Sequence, residues 1–169
     1  IHPHQGGFFL DEELGLLSDE ECRAAIRRKY ECGGVTDERI VEAWNAMIPR
    51  VDPARCALME GLKNSYRLFV LSNTNPQHVR RLDALYRQAT AGGDFEAHFE
   101  YCFYSHHLHL RKPDEQIYRK VVVQVGLVPA ETLFIDDNAC NFSGAHALGM
   151  KTYHLTGGES LFRLFEPVG

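Results

Sequence analysis

The hydrophobic rhythm of the chain changes once, near residue 66. Before that point, apolar residues recur at helical spacing. "SDEECRAAIRRKYEC" opens on Ser18 with Glu21 three residues on, the pattern of a capping box. "TDERIVEAWNAMI" begins at Thr36 and sets Ile40, Val41, Trp44, Met47 and Ile48 along one helical face. Between these two stretches "CGGV" supplies Gly33 and Gly34 to end one helix and start a turn. "DPARCALMEGLKNS" offers Asp52 as cap and Pro53 at the first helical position, where its missing N–H does no harm. From Tyr66 onward strands and helices alternate. "YRLFVL" (66–71), "YCFYS" (101–105), "TLFID" (132–136) and "KTYHL" (151–155) predict strands. The intervening helices are "NPQHVRRLDALYRQA", capped by Asn75, "PDEQIYRKVVVQVG", closed near Gly126, and "NFSGAHALG", ending near Gly149. The stretch "TAGGD" (90–94) is a loop. Strand–helix alternation with short connections predicts an α/β fold, a parallel sheet covered by helices on both faces. In such sheets ligands bind outside the carboxyl ends of the strands.

Three polar groups fall at that edge. The run "LFIDDN" ends an unalternated apolar strand in two adjacent carboxylates, Asp136 and Asp137. Buried ionised carboxylates need a partner, so a metal cation or a cationic side chain is the economical explanation. An Asx-type turn or helix cap is the structural alternative. The strand ending at Leu71 runs into "SNTNP", where Ser72 and Asn73 put a hydroxyl and an amide before a helix start, a place suited to an anion. A plain cap by Asn75 and Pro76 leaves Ser72 and Asn73 unexplained. Lys112 follows the second strand just ahead of Pro113; it is either a solvated surface charge or a third group over the same edge. A hydroxyl, an ammonium and two carboxylates together make a site for a phosphate and a hard divalent ion, magnesium first among them.

Composition narrows the field. A chain of 169 residues, 44% hydrophobic, holds one ordinary domain with a small appendage. A net charge of −5 and a pI near 6.0 give no electrostatic reason to expect nucleic acid as a partner. Five scattered cysteines without a CxxC pair fit reduced thiols in a cytoplasmic protein rather than a disulfide framework or zinc site. The histidines of "SHHLHL" (105–110) suggest a metal, but no partner ligands stand at zinc spacing. No apolar run approaches the roughly 20 residues that span a bilayer, and no signal peptide is legible, so a membrane is not expected as a partner.

The motifs then resemble those of the haloacid dehalogenase (HAD) superfamily of phosphohydrolases, within it the sugar-phosphate phosphatase branch with a small helical cap. "FVLSNTN" resembles the second family motif, which implies that Ser72 binds phosphate with Asn73 beside it. "RKPDEQIY" resembles the third, implying that Lys112 binds phosphate and stabilises an aspartyl-phosphate intermediate. "LFIDDNACNFSGAHALGM" resembles the fourth, in which Asp137 would coordinate magnesium most directly and Asp136 support it. Each motif is short, and their order at intervals of 40 (72 to 112) and 24 (112 to 136) residues carries the resemblance, which covers residues 8 to 156. It implies a Rossmann-like three-layer α/β/α sheet, with a partial helical cap at 1–50 and the core at 51–169. It also implies a magnesium-dependent phosphatase of a small phosphorylated metabolite.

The first family motif, a strand ending in D-x-D/N-G whose first aspartate is the nucleophile, has no good match. "GGFFLDEELG" offers Asp11, but its second acid falls at Glu13 and Leu14 intervenes before Gly15. Moreover, "DEELGLLSDEEC" itself resembles a stretch inside the cap of these phosphatases. The expectation is a chain beginning at Ile1 as a processed or incomplete form, whose first strand and nucleophile come from a missing N-terminal segment. Strands 66–71 and 132–136 should then not pair directly but lie about 9–10 Å apart, twice the neighbour spacing. Two other classes compete. A non-catalytic phosphate- and metal-binding protein would keep the cradle without a nucleophile. A receiver domain also combines an acidic pair, a hydroxyl and a lysine, but in the reverse order along the chain.

Overall fold

The computed structural model describes residues 7–156 and 161–165, so the outermost parts of the expected cap and core ranges lie outside the described residues. The chain divides into two compact units, Ile1–His109 and Leu110–Gly169.

In the first unit α1 (Phe8–Glu13), α2 (Asp19–Lys29), α3 (Asp37–Asn45) and α4 (Pro53–Leu62) precede β1 (Phe69–Ser72). These are followed by α5 (Pro76–Ala89), β2 (Tyr101–Tyr104) and the single turn α6 (Ser105–Leu108). The predicted caps form. Ser18 and Glu21 close a capping box at α2, with the Glu21 backbone N–H 3.3 Å from Ser18 Oγ and Ser18 N–H 2.8 Å from Glu21 Oε2. Thr36, Asp52 and Asn75 each accept a backbone N–H at the start of α3, α4 and α5. Asp11 lies inside α1, not at a strand tip, so the stretch Phe8–Asp11 is not a first-motif strand. β1 starts three residues later than the apolar run predicts, because the Tyr66 N–H bonds Leu62 O at 2.9 Å and belongs to the turn closing α4. β1 and β2 pair in parallel from Phe69–Tyr101 to Ser72–Tyr104.

The helices before β1 pack through aromatic faces. Phe9 stacks on Trp44 with centroids 4.8 Å apart, and Trp44 stacks on His78 at 5.4 Å. The His78 ring donates from Nε2 to the Trp44 carbonyl at 3.1 Å, and burial holds its pKa below the ordinary histidine value. Glu12, which interacts with the Cys22 and Trp44 side chains, is only 3% exposed. Burial raises its pKa from 4.5 to about 7, and also pushes the Cys22 thiol beside it up to about 12, with the Glu12 charge adding to that rise. A carboxyl whose folded pKa is raised favours the folded state most below pH 4.5, and that advantage is lost as pH rises through about 7. Glu12→Gln should therefore match the parent chain in acid and exceed it above neutrality by on the order of 2–3 kcal/mol. Urea unfolding at pH 4.5 and pH 8 measures this; an equal difference at both would refute it.

In the second unit α7 (Glu115–Val125), β3 (Leu133–Asp136), α8 (Phe142–Ala147), β4 (Lys151–His154) and α9 (Leu161–Leu164) follow in order. α7 ends at Gly126 with φ +62°, the left-handed conformation that glycine adopts without strain. β3 and β4 pair in parallel from Leu133–Lys151 to Asp136–His154. β1 thus pairs with β2 and β3 with β4, and among the described residues no ladder joins β1 to β3. The core of this unit is built on Ile117, Tyr118, Val121 and Ala145, with Tyr118 edge-on to Phe134 at 5.3 Å.

Candidate active site

The first unit holds Ser72 and Asn73. β1 delivers Ser72 at its carboxyl end, and Asn73 and Thr74 bridge from there to the Asn75 cap of α5. Asn75 accepts the His78 N–H at 2.8 Å, so the loop is pinned at its helical end. It is pinned from β2 as well: Thr74 N–H donates to Ser105 Oγ at 2.9 Å, and the same hydroxyl donates to Thr74 O at 3.0 Å.

The second unit brings Lys112, Asp136 and Asp137 together. Lys112 is 7% exposed and Asp136 8%, and Lys112 Nζ lies 2.6 Å from Asp136 Oδ2. This lysine is therefore not the solvated surface charge that its position before a helix would ordinarily make it. Asp136 has further partners. Its Oδ1 accepts the Asn138 N–H at 2.8 Å, and Asn141 Nδ2 lies 3.0 Å from Oδ1 and 3.1 Å from Oδ2. The Asn138 bond is an Asx turn, so both readings of "LFIDDN" hold: Asp136 shapes the turn and neutralises a buried cation. Charge-assisted bonds to three donors offset the desolvation of a buried carboxylate. Tyr118 secures the arrangement from α7 by donating its hydroxyl to the Asn141 carbonyl. Burial, and then the nearby Asp136 charge, hold that phenol above its ordinary pKa.

Asp137 differs from its neighbour. It is exposed, and its backbone carbonyl meets His154 Nε2 at 3.1 Å, tying the tip of β3 to the end of β4. With Asp136 saturated by nitrogen donors, Asp137 is the exposed carboxylate of the pair. That suits magnesium, which keeps several waters and takes one or two protein carboxylates. Among the described residues no three His, Cys, Asp or Glu side chains cluster as a preformed metal cage.

The residues missed by sequence reasoning are Asn141, Tyr118 and the Ser105–His106 pair. Asn141 is one polar residue ahead of a helix and could have been taken for a cap. Tyr118 sits in a helical apolar stripe where an aromatic reads as core. The histidines of "SHHLHL" drew attention for metal binding, yet His106 is buried with Nδ1 3.0 Å from the Thr74 carbonyl.

Residues 11–149 match the haloacid dehalogenase-like hydrolase family, and the chain belongs to that family. A D-ribitol-5-phosphate phosphatase from Bacteroides thetaiotaomicron is 30% identical over 151 residues, covering 89% of this chain and 72% of the relative. Among solved structures, a HAD family enzyme from the same organism, an aspartate-to-alanine variant in complex with magnesium and inorganic phosphate, superposes with a TM-score of 0.91. That match is at 32% identity and covers 98% of this chain and 82% of the other. A predicted HAD-like hydrolase from Porphyromonas gingivalis gives 0.85 at 31% identity, covering 96% and 78%. The fold is the α/β fold of HAD enzymes, with parallel strands and intervening helices. No helix among the described residues is long and apolar enough to cross a membrane.

Proposed function

We propose that this chain carries the phosphate-handling part of a magnesium-dependent phosphatase acting on a small phosphorylated metabolite of the sugar-phosphate or polyol-phosphate class. The observation that carries the reading is the buried Lys112–Asp136 pair, held at 2.6 Å by a network that leaves Asp137 exposed beside it. The similarity to a D-ribitol-5-phosphate phosphatase supports the substrate class. In this reading Lys112 and Ser72 are the catalytic phosphate-binding groups, with Asn73 next to Ser72 in the chain. The Lys112 ammonium offsets charge on the transferring phosphoryl group. Asp136 holds that ammonium in place through the 2.6 Å contact. Asp137, supported by Asp136, would hold magnesium, whose positive charge would further stabilise the phosphoryl oxygens. Helices α1–α3 act as part of a cap that excludes water and shapes substrate choice.

The attacking carboxylate is not assigned to these residues. Asp11 is helical and the D-x-D/N-G pattern is missing from the sequence, so the aspartyl-phosphate intermediate requires an aspartate from a first-motif strand outside the 169 residues. The 169-residue chain alone should show no appreciable turnover of p-nitrophenyl phosphate. The same residues preceded by a strand with that motif should hydrolyse it, with activity lost on chelation of magnesium. In that active form Lys112→Ala should lower the rate by about 10²–10³, while Lys151→Ala, at an exposed lysine, should leave it near the parent value. Asp137→Asn should weaken magnesium dependence along with rate. Magnesium-dependent turnover by the 169-residue chain, abolished by Asp11→Asn, would overturn the nucleophile assignment. Equal effects at Lys112 and Lys151 would overturn the role of Lys112.

A further inference from the structure

The "SHHLH" turn after β2 hydrogen-bonds the backbone of the loop that follows Ser72. Ser105 has no exposed surface, and its hydroxyl takes the Thr74 N–H and returns a bond to the Thr74 carbonyl, at 2.9 and 3.0 Å. His106 sends Nδ1 to the same carbonyl at 3.0 Å. Because a carbonyl only accepts, the His106 proton sits on Nδ1, and burial keeps the ring below its ordinary pKa. Thr74 therefore has its donor and both carbonyl lone pairs taken by two consecutive side chains. Thr74 is two residues from Ser72 and one from the Asn75 cap, so its peptide sets where the β1 tip points.

The turn is held in turn by the α1–α2 connection. Gly15 has φ +68°, and a Cβ placed there would stand 2.2 Å from the His106 carbonyl oxygen, so the backbones touch as only glycine permits. His109, itself at φ +54°, brings Nδ1 2.7 Å from Leu14 O.

We propose that Ser105 and His106 are positioning residues for the phosphate-binding hydroxyl of Ser72, and that Leu14–Gly15 couples the helical segment to that position. Ser105 and His106 touch no substrate; they fix the Thr74 peptide, and Thr74 fixes the loop that presents Ser72 and Asn73. The inference rests on Ser72 binding phosphate, and its test separates the two ideas. A reacting-group displacement near 1 Å can cost about 10²-fold in rate. His106→Leu removes the Nδ1 donor, whereas His106→Asn puts an amide N–H close to where Nδ1 stood.

In the 169-residue chain, NMR should show the Ser72 and Asn73 amide signals shifted in Ser105→Ala and His106→Leu and near their parent positions in His106→Asn. In the form made active by a first-motif strand, kcat for p-nitrophenyl phosphate should fall about 10–100-fold in His106→Leu. Inhibition by inorganic phosphate should weaken in parallel, and His106→Asn should recover most of both. Unmoved Ser72 and Asn73 signals, or equal kinetic loss in His106→Asn and His106→Leu, would overturn the positioning role. If the active form fails to hydrolyse phosphomonoesters, the phosphatase reading falls, and the NMR comparison still decides the positioning role by itself.

Discussion

Lys112→Met should destabilise the chain by about 3–5 kcal/mol, well beyond the cost of trimming a surface lysine, because it strands the Asp136 carboxylate in the interior. The two side chains are 7% and 8% exposed and 2.6 Å apart, so water cannot take over for a missing partner. Asp136→Asn should also destabilise the chain, since it removes the carboxylate that lies 2.6 Å from the buried ammonium. The informative variant is the double one. An amide at 136 can still accept from the Asn138 N–H and from Asn141 Nδ2 through its carbonyl oxygen. With methionine at 112, no buried charge then remains. Lys112→Met combined with Asp136→Asn should therefore recover about 2 kcal/mol or more relative to the sum of the single losses. Urea unfolding of the four proteins gives the coupling directly. Single losses that simply add, within about 0.5 kcal/mol, would show that the pair is not the organising contact of the β3 edge.

The same residues show what the sequence makes legible. Helix caps such as Ser18 with Glu21, Thr36, Asp52 and Asn75 are local devices, completed within three residues, and each forms as its pattern predicts. The strand–helix alternation after Tyr66 is legible for a related reason. Apolar runs without polar alternation mark the strands, and the intervening helices keep their apolar stripes. Boundaries are less legible, because the first residues of an apolar run can be claimed by the preceding turn, as Leu62 claims Tyr66. Asp136 stands out as a charge closing an apolar strand, and Lys112 as a charge just ahead of a helix. Their supporting groups do not stand out. Ser105 bonds a peptide 31 residues away, and Tyr118 bonds a carbonyl 23 residues away. Such contacts exist only once parallel strands and their crossover helices are assembled, so neither spacing nor residue type announces them. His106 shows the reverse: its residue type announces a metal, and its environment makes it a backbone donor.

Gly144→Ala should be the most damaging single-methyl change in the second unit. Gly144 is buried in α8, and a Cβ there would lie 2.5 Å from Tyr118 Cε2 and 2.6 Å from the Pro113 carbonyl oxygen. One obstacle is backbone, and the other is the ring of a side chain with no exposed surface. Neither is the free end of a flexible chain, so α8 must move away from α7. Overpacking of this kind costs typically about 1–3 kcal/mol, and the backbone obstacle puts the expected loss at about 3 kcal/mol. The displacement also reaches the site. Asn141 stands at the start of α8, its carbonyl accepts the Tyr118 hydroxyl, and its amide bonds Asp136. Moving α8 therefore loosens Asp136 and, through it, Lys112. Gly61→Ala is the control, since a Cβ there meets nothing within 4 Å and Gly61 lies inside α4. That change should be neutral or stabilising by up to about 1 kcal/mol, through helix propensity and a less flexible unfolded chain. Thermal or urea unfolding compares the two, and the Lys112 ammonium signal by NMR reports on the site. If Gly144→Ala matched Gly61→Ala in stability and left the Lys112 signal in place, the close approach of α8 to Tyr118 and Pro113 would not be what holds Asn141 against Asp136.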